Sequence, residues 1–145
     1  MPPSDALTQL GQITQQRVVV FEENHRRIEF RNLQENSVRK IDLDDENLPD
    51  DFGPRCDGIL VCPLEIPNHE HYVELKGSDV GRAVEQLRNS LQKLSRDAAR
   101  QPKSCYVISS RVPRAGTDIQ RFQRQFRSQY ASMLYLRSRE LTVTL

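Results

Sequence analysis

Glu74-Leu75-Lys76, near the end of one predicted strand, and Asp57, opening the strand before it, are the residues whose types and spacing could do chemistry. A strand repeats every two residues, so Glu74 and Lys76 project from one face while Leu75 points into the opposite layer. An antiparallel hairpin pairing 57 with 76 and 59 with 74 would bring Asp57, Glu74 and Lys76 onto one patch. Two carboxylates gathered there can hold a hard divalent cation, and an ammonium beside them can position a water. In outline this is a phosphodiester-cleaving centre.

The elements that must position these residues follow from periodicity and turn chemistry. The hairpin is predicted over about 57–62 and 71–76, joined by 63–70, and its first strand is apolar on both faces, which suits a central, doubly covered position. A helix over about 79–97, capped by Ser78 or Asp79, carries the core stripe Val80, Val84, Leu87, Leu91 and Leu94. The strand 104–109 (SCYVIS) follows a helix long enough to cross over to a parallel position. Thr117-Asp118-Ile119-Gln120 has capping-box spacing and opens a second helix with Ile119, Phe122, Phe126 and Tyr130 inward.

Upstream, residues 5–16 put Leu7, Leu10 and Ile13 on one helical side, with Gly11 as a weak point. Residues 17–22, 27–32 and 38–43 read as a meander of three strands separated by polar turns. Residues 44–53, with five Asp and Glu and Pro49, read as an exposed acidic loop. The segments 133–136 and 141–145 look like a terminal hairpin. The fold class expected is α/β, a central mixed β-sheet flanked by helices with an N-terminal strand meander.

A chain of 145 residues suits a single domain over 1–145, large enough to bury a core without staples. Its hydrophobic fraction is 37% and its charged fraction 28%, as for a domain with a large solvated surface. No apolar run approaches the roughly 18 residues a membrane span needs. The start, Met1-Pro2-Pro3-Ser4-Asp5, has no basic region leading into an apolar stretch, so no secretory signal is expected. Cys56, Cys62 and Cys105 are odd in number and lack C-x-x-C spacing, which points to free thiols in a reducing cytoplasm. The net charge of +1 hides an asymmetry: residues 1–76 carry 8 Lys and Arg against 15 Asp and Glu, residues 77–145 carry 13 against 5. The basic half follows the carboxylates directly, where a nucleic-acid backbone would need cover.

The order strand–Asp, strand–Glu-x-Lys, helix, strand resembles the PD-(D/E)xK nuclease superfamily, which includes restriction endonucleases and Holliday-junction resolvases. The resemblance spans about residues 55–110, on RCDGILV, HYVELKG, SDVGRAVEQLRNSLQKL and SCYVIS. It implies a restriction-endonuclease-like core and a Mg²⁺ site, with Mn²⁺ as a substitute. Asp57 and Glu74 would be the metal ligands, the Leu75 carbonyl would complete the shell, and Lys76 would orient or activate the attacking water. Gln86 matches the position at which many members carry a Gln on the following helix. Two departures stand out. Arg55-Cys56 precedes the Asp where the family name has Pro, and 5–16 contains none of the Glu that many members carry on the first helix. Glu22, Glu23 or Glu29 could substitute from a neighbouring strand. The literal Pro49-Asp50 is rejected as the family Asp, because Asp50 falls in a polar loop.

Other constellations are weaker. His71 has the opposite strand parity to Glu74, and His69 sits in the turn, so neither supports zinc. Cys105 reads as a small core residue. Arg82, Gln86, Asn89, Lys93, Arg96 and Arg100 recur along one side of the first long helix and just past it, and Arg121, Arg124 and Arg127 form a second stripe. Of these, Arg82 and Lys93 are the expected nucleic-acid contacts.

The function expected is a divalent-metal-dependent endonuclease acting on DNA, preferred over RNA because no aromatic stacking platform is visible. A nuclease-fold module without catalysis, serving binding or assembly, is the alternative. A nucleic-acid-binding protein using only the basic helices is a third reading. A homodimer would suit cutting of both strands, and membership of a larger protein complex would suit the module.

Overall fold

In a computed structural model, residues 5–75, 79–111 and 117–145 are described. The expected Lys76, together with Gly77, Ser78 and the side chain of Thr117, lies outside the described residues. The strands are β1 (Gln12–Thr14), β2 (Val18–Glu23), β3 (Arg26–Arg31), β4 (Val38–Asp42), β5 (Gly58–Cys62), β6 (His69–Glu74), β7 (Lys103–Ser109), β8 (Ser132–Ser138) and β9 (Glu140–Thr144). The helices are α1 (Val80–Leu94) and α2 (Thr117–Tyr130). Six strands form a mixed central sheet in the order β1-β4-β5-β6-β7-β8, and β2-β3-β9 form a second sheet. The fold is therefore α/β with a mixed central sheet, but the expected three-strand N-terminal meander does not form: β2 and β3 pair in the second sheet, while β4 leaves them to lie between β1 and β5 in the central one.

The central sheet has a core on each face because its inner strands are apolar at both parities. Ile59, Val61, Tyr72, Cys105 and Val107 pack with Val84, Leu87, Leu91 and Leu94 of α1 and with Phe126 and Tyr130 of α2. Leu60, Cys62, Val73, Tyr106 and Ile108 point the other way, onto Val19, Phe21, Ile28 and Phe30 of the second sheet. Every residue of β5 is buried. Each fully buried leucine or isoleucine contributes about 1.5–3 kcal/mol, so these two layers hold the sheet rigid beneath the candidate residues.

The ends of β5 and β6 depart from expectation in register. Gly58 pairs with Val73 and Ile59 with Tyr72, and β6 starts at His69, so the connection is two residues shorter than expected. A shift of two preserves the face of every side chain, whereas a shift of one would have inverted them. Continuing the ladder by one residue sets Asp57 across from Glu74, where Lys76 was expected. β7 runs parallel to β6, as expected after a helical crossover.

Three further expectations are corrected. Residues 5–16 do not form a helix: a 3-10 turn over Ala6–Gln9 leads through Gly11, at φ 68°, into β1, which pairs with β4. Ile13 is consequently exposed while Leu7 is buried. The terminal hairpin does not form either. β8 joins the central sheet parallel to β7, and β9 joins the second sheet parallel to β3. Arg139 makes the corner between them at φ 66°, its N–H donating to Ser109 and its carbonyl accepting from Arg27. Two backbone partners in different sheets leave no room for a two-stranded turn there. Finally, the acidic loop is not merely solvated, for Phe52 is buried and Leu48 packs on the helix-side core.

Candidate active site

Asp57 and Glu74 lie at the open end of the β5–β6 pair, on the face that carries Ile59, Val61 and Tyr72. Asp57 Oδ2 accepts the Leu75 N–H at 2.7 Å, and Glu74 Oε1 accepts the same N–H at 3.1 Å. One backbone donor thus draws both carboxylates together. Glu74 is fully buried and Asp57 half-buried. Asp57 is tied on both sides through its own backbone: its N–H donates to Val73 of β6 and its carbonyl accepts from Leu43, in the 3-10 turn just past β4.

Gly58 lets this end of the sheet close down. A Cβ there would overlap the ring of Phe21 on β2, so the second sheet packs directly against the backbone next to Asp57. Such close approach is a recurrent reason for glycine within a strand.

The helix side is held by a clamp. Asn89 donates from Nδ2 to the carbonyls of Phe52 at 2.8 Å and Pro54 at 2.6 Å. Gln86 donates from Nε2 to the Arg55 carbonyl at 3.2 Å, and Ser90 Oγ accepts the Cys56 N–H at 2.9 Å. Lys93 donates from Nζ to the carbonyls of Asp51 and Phe52 and lies 5.1 Å from the centre of the Phe52 ring. These four residues follow one another at helical spacing. Their shared target is the segment leading into Asp57. Of the expected nucleic-acid contacts, Lys93 is engaged by this segment, while Arg82 is exposed on a cleft beside it. Arg82 N–H is received by the Asp79 carboxylate, which makes Asp79 the N-cap of α1.

An acidic cleft of about 210 Å³ opens beside Asp57, lined also by Glu22, Glu23, Asp42, Asp44, Asp45 and Leu75. Glu22 and Glu23 thus come to the same cleft as Asp57, whereas Glu29 is held at 3.0 Å by each of Arg27 and Arg31 on its own strand. Those two guanidiniums keep the Glu29 carboxyl below its usual range. Asp42, Asp44 and Asp45 were missed as site residues. The sequence carried no signal for them; the pairing of β4 with β5, which sets Asp42 opposite Gly58, brings them to Asp57. Asp50, exposed in a turn, is not among the lining residues.

The residues fit a hard cation by donor chemistry: two carboxylates are the protein share that Mg²⁺ ordinarily takes, with waters completing an octahedron. Among the described residues, no group of three or more His, Cys, Asp or Glu is gathered as a ligand set. Neither histidine competes. His71 is buried against Phe30 on the second-sheet side, its Nδ1 2.9 Å from the Tyr106 hydroxyl, and burial pushes its pKa down to about 3. His69 pairs with Ser104 at 2.8 Å. The three cysteines are free and buried, and desolvation raises the Cys105 thiol to about 12 and Cys56 still further. No helix among the described residues is long and apolar enough to cross a membrane. Comparison of the chain with protein-family models, with curated proteins and with solved structures found no match.

Proposed function

We propose that the chain is a divalent-metal-dependent nuclease that hydrolyses phosphodiester bonds, with DNA as its substrate. The observation that carries this reading is the convergence of the Asp57 and Glu74 carboxylates on the single N–H of Leu75 beside an acidic cleft. Asp57 and Glu74 would hold Mg²⁺ or Mn²⁺, with the Leu75 carbonyl as a further donor. Such an ion supplies Lewis acidity toward the scissile phosphate and a bound water of lowered pKa.

The chain's own residues do the rest. Lys76, two positions beyond Glu74, would orient the attacking water and favour loss of its proton. Gln86 positions rather than reacts: its amide holds the Arg55 carbonyl and so fixes the approach to Asp57. The cleft carboxylates lower the local potential, which concentrates cations and repels a bare phosphodiester until those cations are present. Substrate cover must come from the opposite side, where Arg82 and Arg88 line the neighbouring cleft. A symmetric pair of chains would let both strands of a duplex be cut.

The test is a Mg²⁺ and Mn²⁺ titration with supercoiled plasmid and single-stranded DNA, repeated with Glu74→Ala and Lys76→Ala. Cleavage that needs the metal and is lost in both variants is expected. Cleavage indifferent to both substitutions refutes the assignment.

A second reading has its own support. Complete burial of Glu74 and the lack of a three-carboxylate ligand set among the described residues favour a nuclease-like module that binds or assembles without cutting. It predicts folded protein that neither binds divalent cations at millimolar concentration nor cleaves.

A further inference from the structure

A second, open cleft of about 680 Å³ lies along the start of α1, lined by Pro54, Arg82, Glu85, Gln86 and Arg88 among others, with Phe122 reaching it from α2. Its size lies within the roughly 300–1,000 Å³ of sites that take small organic groups. It adjoins the clamp, since Gln86 lines it while holding the Arg55 carbonyl two residues before Asp57. The ring of Phe122 is the feature unforeseen in the sequence. Its spacing places it inward and it does pack on the helix-side core, yet it is only half-buried and part of it lines the cleft. Arg121, fixed by Asp118 at 3.2 Å, holds its guanidinium 5.6 Å from the centre of that ring.

The charge balance argues against a groove for phosphates alone. Arg82 and Arg88 are offset by Glu85 and Asp79, the latter already spent as the helix cap. Arg88 and Arg82 make no ion pair among the described residues. Arg88 is steadied by Gln125 at 3.2 Å and by the Phe126 ring. An aromatic face, guanidinium and amide donors and a carboxylate acceptor match a neutral heteroaromatic ring with a hydrogen-bonding edge.

We propose that this cleft takes an unpaired nucleobase, stacked on Phe122, from the strand whose backbone passes the Asp57–Glu74 pair. This rests on the nuclease reading, narrows its substrate to nucleic acid with a single-stranded segment, and supplies the aromatic platform whose absence from the sequence favoured DNA over RNA. Duplex DNA, whose bases are already stacked, would gain nothing from Phe122.

The chain contains no tryptophan, so Phe122→Trp introduces a single indole reporter. In EDTA, a twelve-residue oligothymidylate should quench its fluorescence, whereas an abasic strand of equal length and a duplex should not. In the same buffer, Phe122→Leu should weaken anisotropy-measured binding of the labelled single strand by about five- to thirty-fold and leave duplex binding unchanged. Equal quenching by the abasic strand, or single-strand affinity unchanged in Phe122→Leu, overturns the inference. Because no metal is present, the two readings fail separately. Quenching without any metal-dependent cleavage removes the nuclease reading alone, and cleavage without quenching removes the base site alone.

Discussion

The Asp57 carboxylate accepts the backbone N–H of Leu75 at 2.7 Å, across the open end of two strands whose ladder stops at Gly58 and Val73. That one bond holds Asp57 toward β6 rather than toward the solvent. It also places the carboxylate next to Glu74, which uses the same donor. The relationship depends on the seating of the second sheet on β5 and on the segment before Asp57 being fixed, and each dependence can be measured.

The seating of the second sheet on β5, beside Asp57, depends on the contact between Gly58 and Phe21. A methyl group at 58 would overlap the Phe21 ring, and relief requires moving the second sheet or the β5 backbone. Gly58→Ala should lower stability to urea by about 1–3 kcal/mol, the usual cost of overpacking. Phe21→Leu combined with it should cost less than the sum of the two single changes, because the clash is shared. Simple additivity would show that the two residues do not press on one another.

The clamp on residues 51–56 depends most on Asn89, which donates to two carbonyls. Asn89→Ala removes both donors and should destabilise the chain by about 1–3 kcal/mol in urea denaturation. Arg100→Ala, at an exposed position past the same helix, should stay within about 0.5 kcal/mol. Equal effects would mean that the clamp contributes nothing beyond an ordinary surface.

Acid should weaken the fold through His71. Burial holds its pKa at about 3, against 6.5 for the free side chain. Between these values the unfolded chain takes up a proton that the folded chain refuses, so stability is full above pH 6.5 and is lost as pH falls toward 3. From pH 7 to pH 5 this amounts to about 2 kcal/mol. His69, also lowered by burial, adds in the same direction. His71→Leu should flatten the dependence of unfolding free energy on pH over that interval by roughly this amount, whatever its effect on stability at pH 7. An unchanged slope would contradict the assignment of His71 as a buried neutral ring.

Parity was legible in the sequence where strands are buried on both sides. The apolar run from Gly58 to Cys62 suits a central strand, and the shared face of Asp57 and Glu74, expected from an assumed pairing, survives because the observed pairing differs from it by two residues. Register was not legible, because it follows from the length of the connection between β5 and β6, and Pro63–Asn68 has no turn signature that sets it. Leu7, Leu10 and Ile13 fit a helical stripe, but Gly11 at positive φ and the reach of β4 decided otherwise. Gln86, Asn89 and Lys93 read as a solvated or phosphate-binding row. An amide facing water and an amide facing a loop carbonyl have the same sequence signature, and only the tertiary position of residues 51–56 separates them. The acidic segment hid its role in the same way, since Asp42, Asp44 and Asp45 gain meaning from the neighbouring Asp57.

Cation binding at the carboxylate pair is the claim on which the functional account stands. Isothermal titration of the folded chain with Mn²⁺ and Mg²⁺, beside Asp57→Asn, measures it directly. The account predicts saturable binding at millimolar concentration or tighter that is lost when Asp57 becomes Asn. No saturable heat at millimolar metal, or equal binding by the Asp57→Asn variant, would contradict it.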